Sequence, residues 1–216
     1  MTLHRLIGYV FTAGALLGPA QAAAQTPTKP APQPTKLPYE KDLSTNWVID
    51  GAHARVSFQV RHLVGRVTGD FTNWTGTLRT NGVDWTRGIA DVTIQTNSLN
   101  TLNAARDADL KSARFFDVKK FPTILFTSTG LVKDGQKVEM GGLLTIKGIT
   151  KSVALKCEFL GRGKGQDGKE RMGFLATTVI ERKDFGLVYN ELIDGLPLVG
   201  DQATITIEFE AVQKEG

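Results

Sequence analysis

Arg55-Val56-Ser57-Phe58-Gln59-Val60-Arg61 is the stretch that decides the fold. Val56, Phe58 and Val60 occupy every second position, and polar residues fill the places between. Successive side chains of a strand point to opposite faces, so this segment reads as a strand with one apolar and one wet side. The alternation returns in Val92 and Ile94, in Ile124 and Phe126, and in Val153, Leu155, Cys157 and Phe159. It returns again in Phe174, Ala176, Thr178 and Ile180, and in Ala203, Ile205, Ile207 and Phe209. Strands that are apolar on one face only belong to antiparallel sheets, because parallel sheets are covered on both.

Asn81-Gly82, Asp134-Gly135, Lys147-Gly148 and the glycine-rich segment 161–168 supply hairpin or loop chemistry between these runs. Between Phe71 and Trp74 the apolar phase slips by one, which predicts a bulge or corner. Residues 98–120 break the pattern: Leu102, Arg106 and Leu110 are spaced by four and Phe115-Phe116 follows. That spacing predicts an amphipathic helix of two to three turns, capped near Asn100 or Thr101. The sum is an all-β protein, an antiparallel barrel of about eight strands with one short helix capping the pore. A two-sheet sandwich would produce the same alternation.

The chain has 216 residues, a formal charge of +4 and one cysteine. A lone cysteine excludes an internal disulfide or a zinc ribbon. The basic residues are interleaved with acidic ones, which argues against nucleic-acid binding. Residues 1–24 read as a signal peptide: Arg5 precedes an apolar run that ends at Gly18-Pro19, before Ala20-Gln21-Ala22. Residues 25–43 hold five of the eight prolines and read as a linker. The barrel domain is expected over 44–213, in an exported, periplasmic protein.

Several motifs fail in context. Gly163-Lys164-Gly165-Gln166-Asp167-Gly168 matches a dinucleotide fingerprint, but strands are expected on both sides where a helix must follow. Asp184-Phe185-Gly186 lacks the other parts of a kinase and reads as a strand end. Asn73-Trp74-Thr75 has the letters of a glycosylation site, and a bulge residue is the simpler role. His53 and His62, nine apart, fall on opposite faces of a continuous strand, so they are not expected to share a metal. Cys157 lies in an apolar row and reads as a buried, inert thiol. No nucleophile elbow is present, and no catalytic residue, cofactor or metal site is assigned.

Taken in order, several segments resemble the YceI-like family of exported, lipocalin-like, polyisoprenoid-binding proteins. They are Trp47-Val48-Ile49-Asp50 with His53, Phe58, Val60 and His62; Val67-Thr68-Gly69-Asp70-Phe71 with Trp74 and Gly76; and Ser98 through Arg106-Asp107, Leu110, Phe115-Phe116-Asp117-Val118, Phe121-Pro122 and Phe126. Gly142 through Lys151, then Arg182, Asp184-Phe185-Gly186 and Val199-Gly200-Asp201 complete the set. Ala54 and Asp109 depart from it, where the family often has Ser and His. The resemblance implies a lipocalin-like barrel that holds an isoprenoid lipid or other long-chain apolar ligand. It implies no cofactor and no catalysis, and it is compatible with a homodimer and with transient membrane-surface contact for lipid loading. The residues expected to line the pore are Val56, Phe58, Val60, Phe71, Ile94, Leu102, Phe115, Phe116, Phe126, Ile146, Leu155 and Phe174. His53, His62 and Arg106 are expected to be structural. Two other readings remain at this level: an interaction domain with a filled core, and a lipid-modifying enzyme using His53, His62 or Asp50 as acid or base.

Overall fold

The computed structural model describes residues 40–214. The expected signal peptide and most of the expected linker lie outside them. Glu40 lies in a single turn of 3-10 helix at Glu40–Asp42, and its carboxylate bonds Arg79 on the barrel at 2.6 Å.

The alternating segments are all strands, and tight turns join most of them. They are β1 (Thr45–His62), β2 (Gly65–Phe71), β3 (Trp74–Asn81), β4 (Asp84–Gln95) and the short β5 (Leu99–Asn100). After the helix α1 (Ala104–Lys111) come β6 (Thr123–Asp134), β7 (Lys137–Ile146), β8 (Ile149–Lys164), β9 (Glu170–Glu181), the small hairpin β10 (Leu192–Ile193) and β11 (Leu196–Pro197), and β12 (Val199–Gln213). The hydrogen-bonded order β12-β9-β8-β7-β6-β4-β3-β1 closes on itself because β1 also pairs with β12. Every pairing is antiparallel. β2 pairs with β1 from Val56 to His62 and β3 with its first residues, Thr45 to Val48. Together they act as one wall strand bent at Thr72-Asn73, the corner that the phase slip predicted. The result is a closed eight-stranded barrel, which leaves no long open edge.

The turns carry the expected chemistry. Gly82, Gly135 and Gly148 have φ of 57°, 59° and 74°, and Lys147 also lies at positive φ, 51°. Asp184-Phe185-Gly186 lies just past the end of β9, where Arg182–Phe185 form a 3-10 turn closed by Gly186 at φ 72°.

Two features differ from the sequence reading. The helix is capped at Asn103, whose side chain accepts from the Arg106 amide at 3.0 Å, and it begins at Ala104. Leu102 therefore precedes it. The Leu102 amide donates to Asn100 Oδ1 (2.8 Å), φ is 59°, and the side chain is 93% exposed. The second feature is a large bulge in β1. Its register on β12 passes from Ile49↔Ala211 to Ala54↔Phe209, so residues 50–53 stand opposite Glu210 alone. Asp50-Gly51 is turn chemistry inside a strand, with Asp50 Oδ1 accepting from the Ala52 amide at 3.0 Å. Trp47 and Ile49 thus point inward from odd positions and Val56, Phe58 and Val60 from even ones.

Candidate functional site

The barrel interior is not filled. In its upper half, towards His62, lies a cavity of about 150 Å³ whose wall presents only apolar surface. Ten expected pore residues border it: Val56, Phe58, Val60, Phe71, Ile94, Phe115, Phe116, Phe126, Ile146 and Leu155. Val92, Ile124, Ile205 and Ile207 border it too, and all four belong to the alternating runs already quoted. Leu102 does not: its expected inward position is corrected by the cap at Asn103, which leaves it in solvent. Phe174 lies lower. It packs against Trp85, Phe159 and Phe209 with ring centroids 5.3–5.4 Å apart. This aromatic group, with Trp47 held by Nε1–H to Thr80 Oγ1 at 2.7 Å, floors the barrel.

The lid is built from the segment after α1. Leu110, Phe115 and Phe116 face the cavity, and the Phe116 ring meets Phe71 edge-on at 6.0 Å. Phe115 packs on Tyr189 at 5.0 Å, and Arg114, bonded to Asp109 at 2.6 Å, lies 4.2 Å above the Tyr189 ring. The lid is therefore joined to the chain that follows β9. Arg106 is structural as expected, donating to Thr101 Oγ1 (2.8 Å) and to the Thr101 carbonyl (2.9 Å).

Arg182 is the one charged side chain on the cavity wall among the described residues. It is 4% exposed and its guanidinium faces carbonyls: Gly200 at 2.8 Å, Tyr189 at 2.9 Å, Leu187, and the longer Val199 at 3.4 Å. Burial pulls its pKa below the ordinary arginine value. With its donors turned to the backbone, it pins residues 187–200 over the top of the barrel rather than offering charge to a ligand. Nothing in the alternation marks it as buried.

The YceI-like domain model matches residues 47–211. The chain belongs to the YceI-like family. It is 35% identical over 167 residues to protein YceI of Salmonella arizonae, covering 77% of this chain and 85% of that one. Among solved structures, the YceI protein of Campylobacter jejuni is 35% identical with a TM-score of 0.62, covering 72% of this chain and 90% of that one. A domain of Saccharophagus degradans described as polyisoprenoid-binding has the same fold at 15% identity and TM-score 0.59, covering 78% and 98%.

Outside this YceI-like barrel, the β1 bulge gathers Asp50, His53 and Glu210, whose ligand atoms lie within 4.8 Å of one another. Arg171 already holds the group, with Nη1 3.0 Å from Asp50 and 3.4 Å from Glu210. His53 bonds Asp50 at 3.0 Å, which raises the imidazole pKa and lowers that of the carboxyl. The carboxylates are thus satisfied by an organic cation, and the cluster ties β1, β9 and β12 together across the bulge. His62 is exposed at the far end of β1. The spacing argument for the two histidines does not survive the bulge, yet they remain apart. Cys157 is half-buried against the core, and burial pushes its thiol up to about 11.

Proposed function

We propose that this protein is an exported carrier that holds a long-chain isoprenoid, or a similar apolar lipid, in the upper barrel cavity. The observation that carries the reading is a closed interior with a continuous apolar wall and a lid of aromatic side chains. Each CH₂ buried there contributes about 0.8 kcal/mol, so the five or six carbons that such a volume admits, at about 27 Å³ each, contribute on the order of 4–5 kcal/mol without polar contacts. A volume of 150 Å³ is small against the roughly 300–1,000 Å³ of ordinary small-molecule sites, which favours a thin flexible chain over a fused-ring ligand. The description of the Saccharophagus domain supports the same ligand class. Residues 1–24 would direct export, and 25–43 would tether the barrel. Loading from a bilayer would bring the cavity end to the membrane surface. Val188, Leu192 and Leu196, 65%, 71% and 52% exposed on the segment after Arg182, supply apolar contacts for it.

The test is mass spectrometry of an organic extract from protein purified under native conditions, together with titration of the stripped protein by isoprenoid alcohols. A co-purifying isoprenoid that the alcohols displace is the expected result. Absence of lipid together with failure to bind any of the alcohols overturns the proposal.

A further inference from the structure

Below the upper cavity is a second one of about 60 Å³, also apolar, resting on the aromatic floor. The strands cross from one to the other at a single level. Val92, Phe126, Leu155 and Ile207, from four strands, border both cavities, and Val92 and Phe126 are direct cross-strand partners. On β7 Leu144 borders the upper space and Met140 the lower. The inward position between them is Gly142. A Cβ there would lie 2.2 Å and 2.3 Å from Cε2 and Cζ of Phe126, so the ring occupies the volume that a β7 side chain would otherwise fill. On β9 the same level passes from Thr178 to Ala176, again small. Phe126 is thus the one aromatic ring at this waist, beside β7, whose Gly142 contributes no side chain.

We infer that Phe126 sets the length of chain the barrel accepts: it stands as a diaphragm between two halves of one apolar bore, and Gly142 supplies the space its ring occupies. This rests on the reading of the upper cavity as a lipid site. A chain entering under the lid fills the upper half and stops at the ring. Shortening that side chain joins the halves, and further CH₂ groups then leave water on entering the lower one.

The experiment titrates the purified, delipidated protein with apolar alcohols lengthened a carbon or two at a time, from about three carbons to about six isoprene units, read by displacement of an environment-sensitive fluorophore. In the native protein, affinity rises with length and then levels off. Phe126→Ala, and the milder Phe126→Leu, move that plateau to longer chains, with the affinity ratio of longest to shortest alcohol rising on the order of tenfold or more, since two buried CH₂ groups suffice for that. Gly142→Ala drives the ring into the bore and moves the plateau to shorter chains. An unchanged plateau in folded Phe126 variants overturns the inference and leaves the carrier reading standing. No binding of any alcohol by the native protein overturns both. If neither Phe126 variant folds, the direction of the Gly142→Ala shift decides, and no shift counts against the diaphragm.

Discussion

Replacing Arg182 by Leu tests whether the roof of the barrel is held as described. Leucine keeps most of the apolar stem, so the change isolates the guanidinium. Its salt bridge to Asp201, 3.2 Å long, contributes little because the Asp201 side chain is 46% exposed. The cost lies in the carbonyls left behind. Leu187 and Gly200 are buried and lose a charged donor, while Tyr189 and Val199 are half-buried and can turn to water. A buried polar group left unsatisfied costs about 1–3 kcal/mol, so two of them give about 2–6 kcal/mol. With a urea m-value of about 2 kcal/mol/M, the unfolding midpoint should fall by roughly 1–3 M. Limited proteolysis should at the same time open the 187–199 segment. Arg182→Lys keeps the charge but not the planar fork, and should fall between. A midpoint shift under about 0.5 M for Arg182→Leu would refute the pin.

Three further outcomes follow from the geometry. Leu102→Ser, at a side chain in solvent, should leave lipid binding unchanged and stability within about 0.5 kcal/mol by urea titration, and a clear loss of either would restore the inward position. Cys157, with its thiol pushed up to about 11, should react with an aromatic disulfide reagent at pH 7.5 far more slowly than a free cysteine, because little thiolate is present; reaction at the rate of a free thiol would contradict the raised value. His53 should titrate above 6.5 by NMR, and Asp50→Asn should return it towards that value. Because its folded pKa is raised, its stabilising contribution is present below 6.5 and is lost as pH rises through the folded value. An unmoved titration in the variant would remove Asp50 as the cause.

The barrel was legible because a wall strand writes its two faces into every second residue, and six strands, β1, β4, β6, β8, β9 and β12, carry that signature in the sequence. The phase slip after Phe71 marked one interruption of the period, but the larger one, in β1, did not show. The β1 bulge changes the inward set from odd to even, and its only trace is Asp50-Gly51 inside an otherwise strand-like run. Leu102 was misplaced because a spacing of four with Arg106 and Leu110 fits a helix, whereas Asn103, a strong cap, starts the helix after it. Arg182 gave no signal at all. Burial of an arginine depends on carbonyls 5–18 residues away that only the folded chain brings to it.

The cavity was the hardest part to read, and the reason is physical. A filled core and a lined bore use the same side chains on the same faces, so alternation identifies the wall and says nothing of the space inside it. That space is decided by residues whose contribution is what they lack. Gly142 at an inward position of β7 and Ala176 on β9 withdraw bulk at the level where Phe126, Leu155, Val92 and Ile207 converge, while four aromatic rings close the floor beneath. The distribution of side-chain volume along the bore, more than its hydrophobicity, therefore decides what length of chain it can hold. Volume is also the property that a single substitution at Phe126 changes without altering the polarity of the wall.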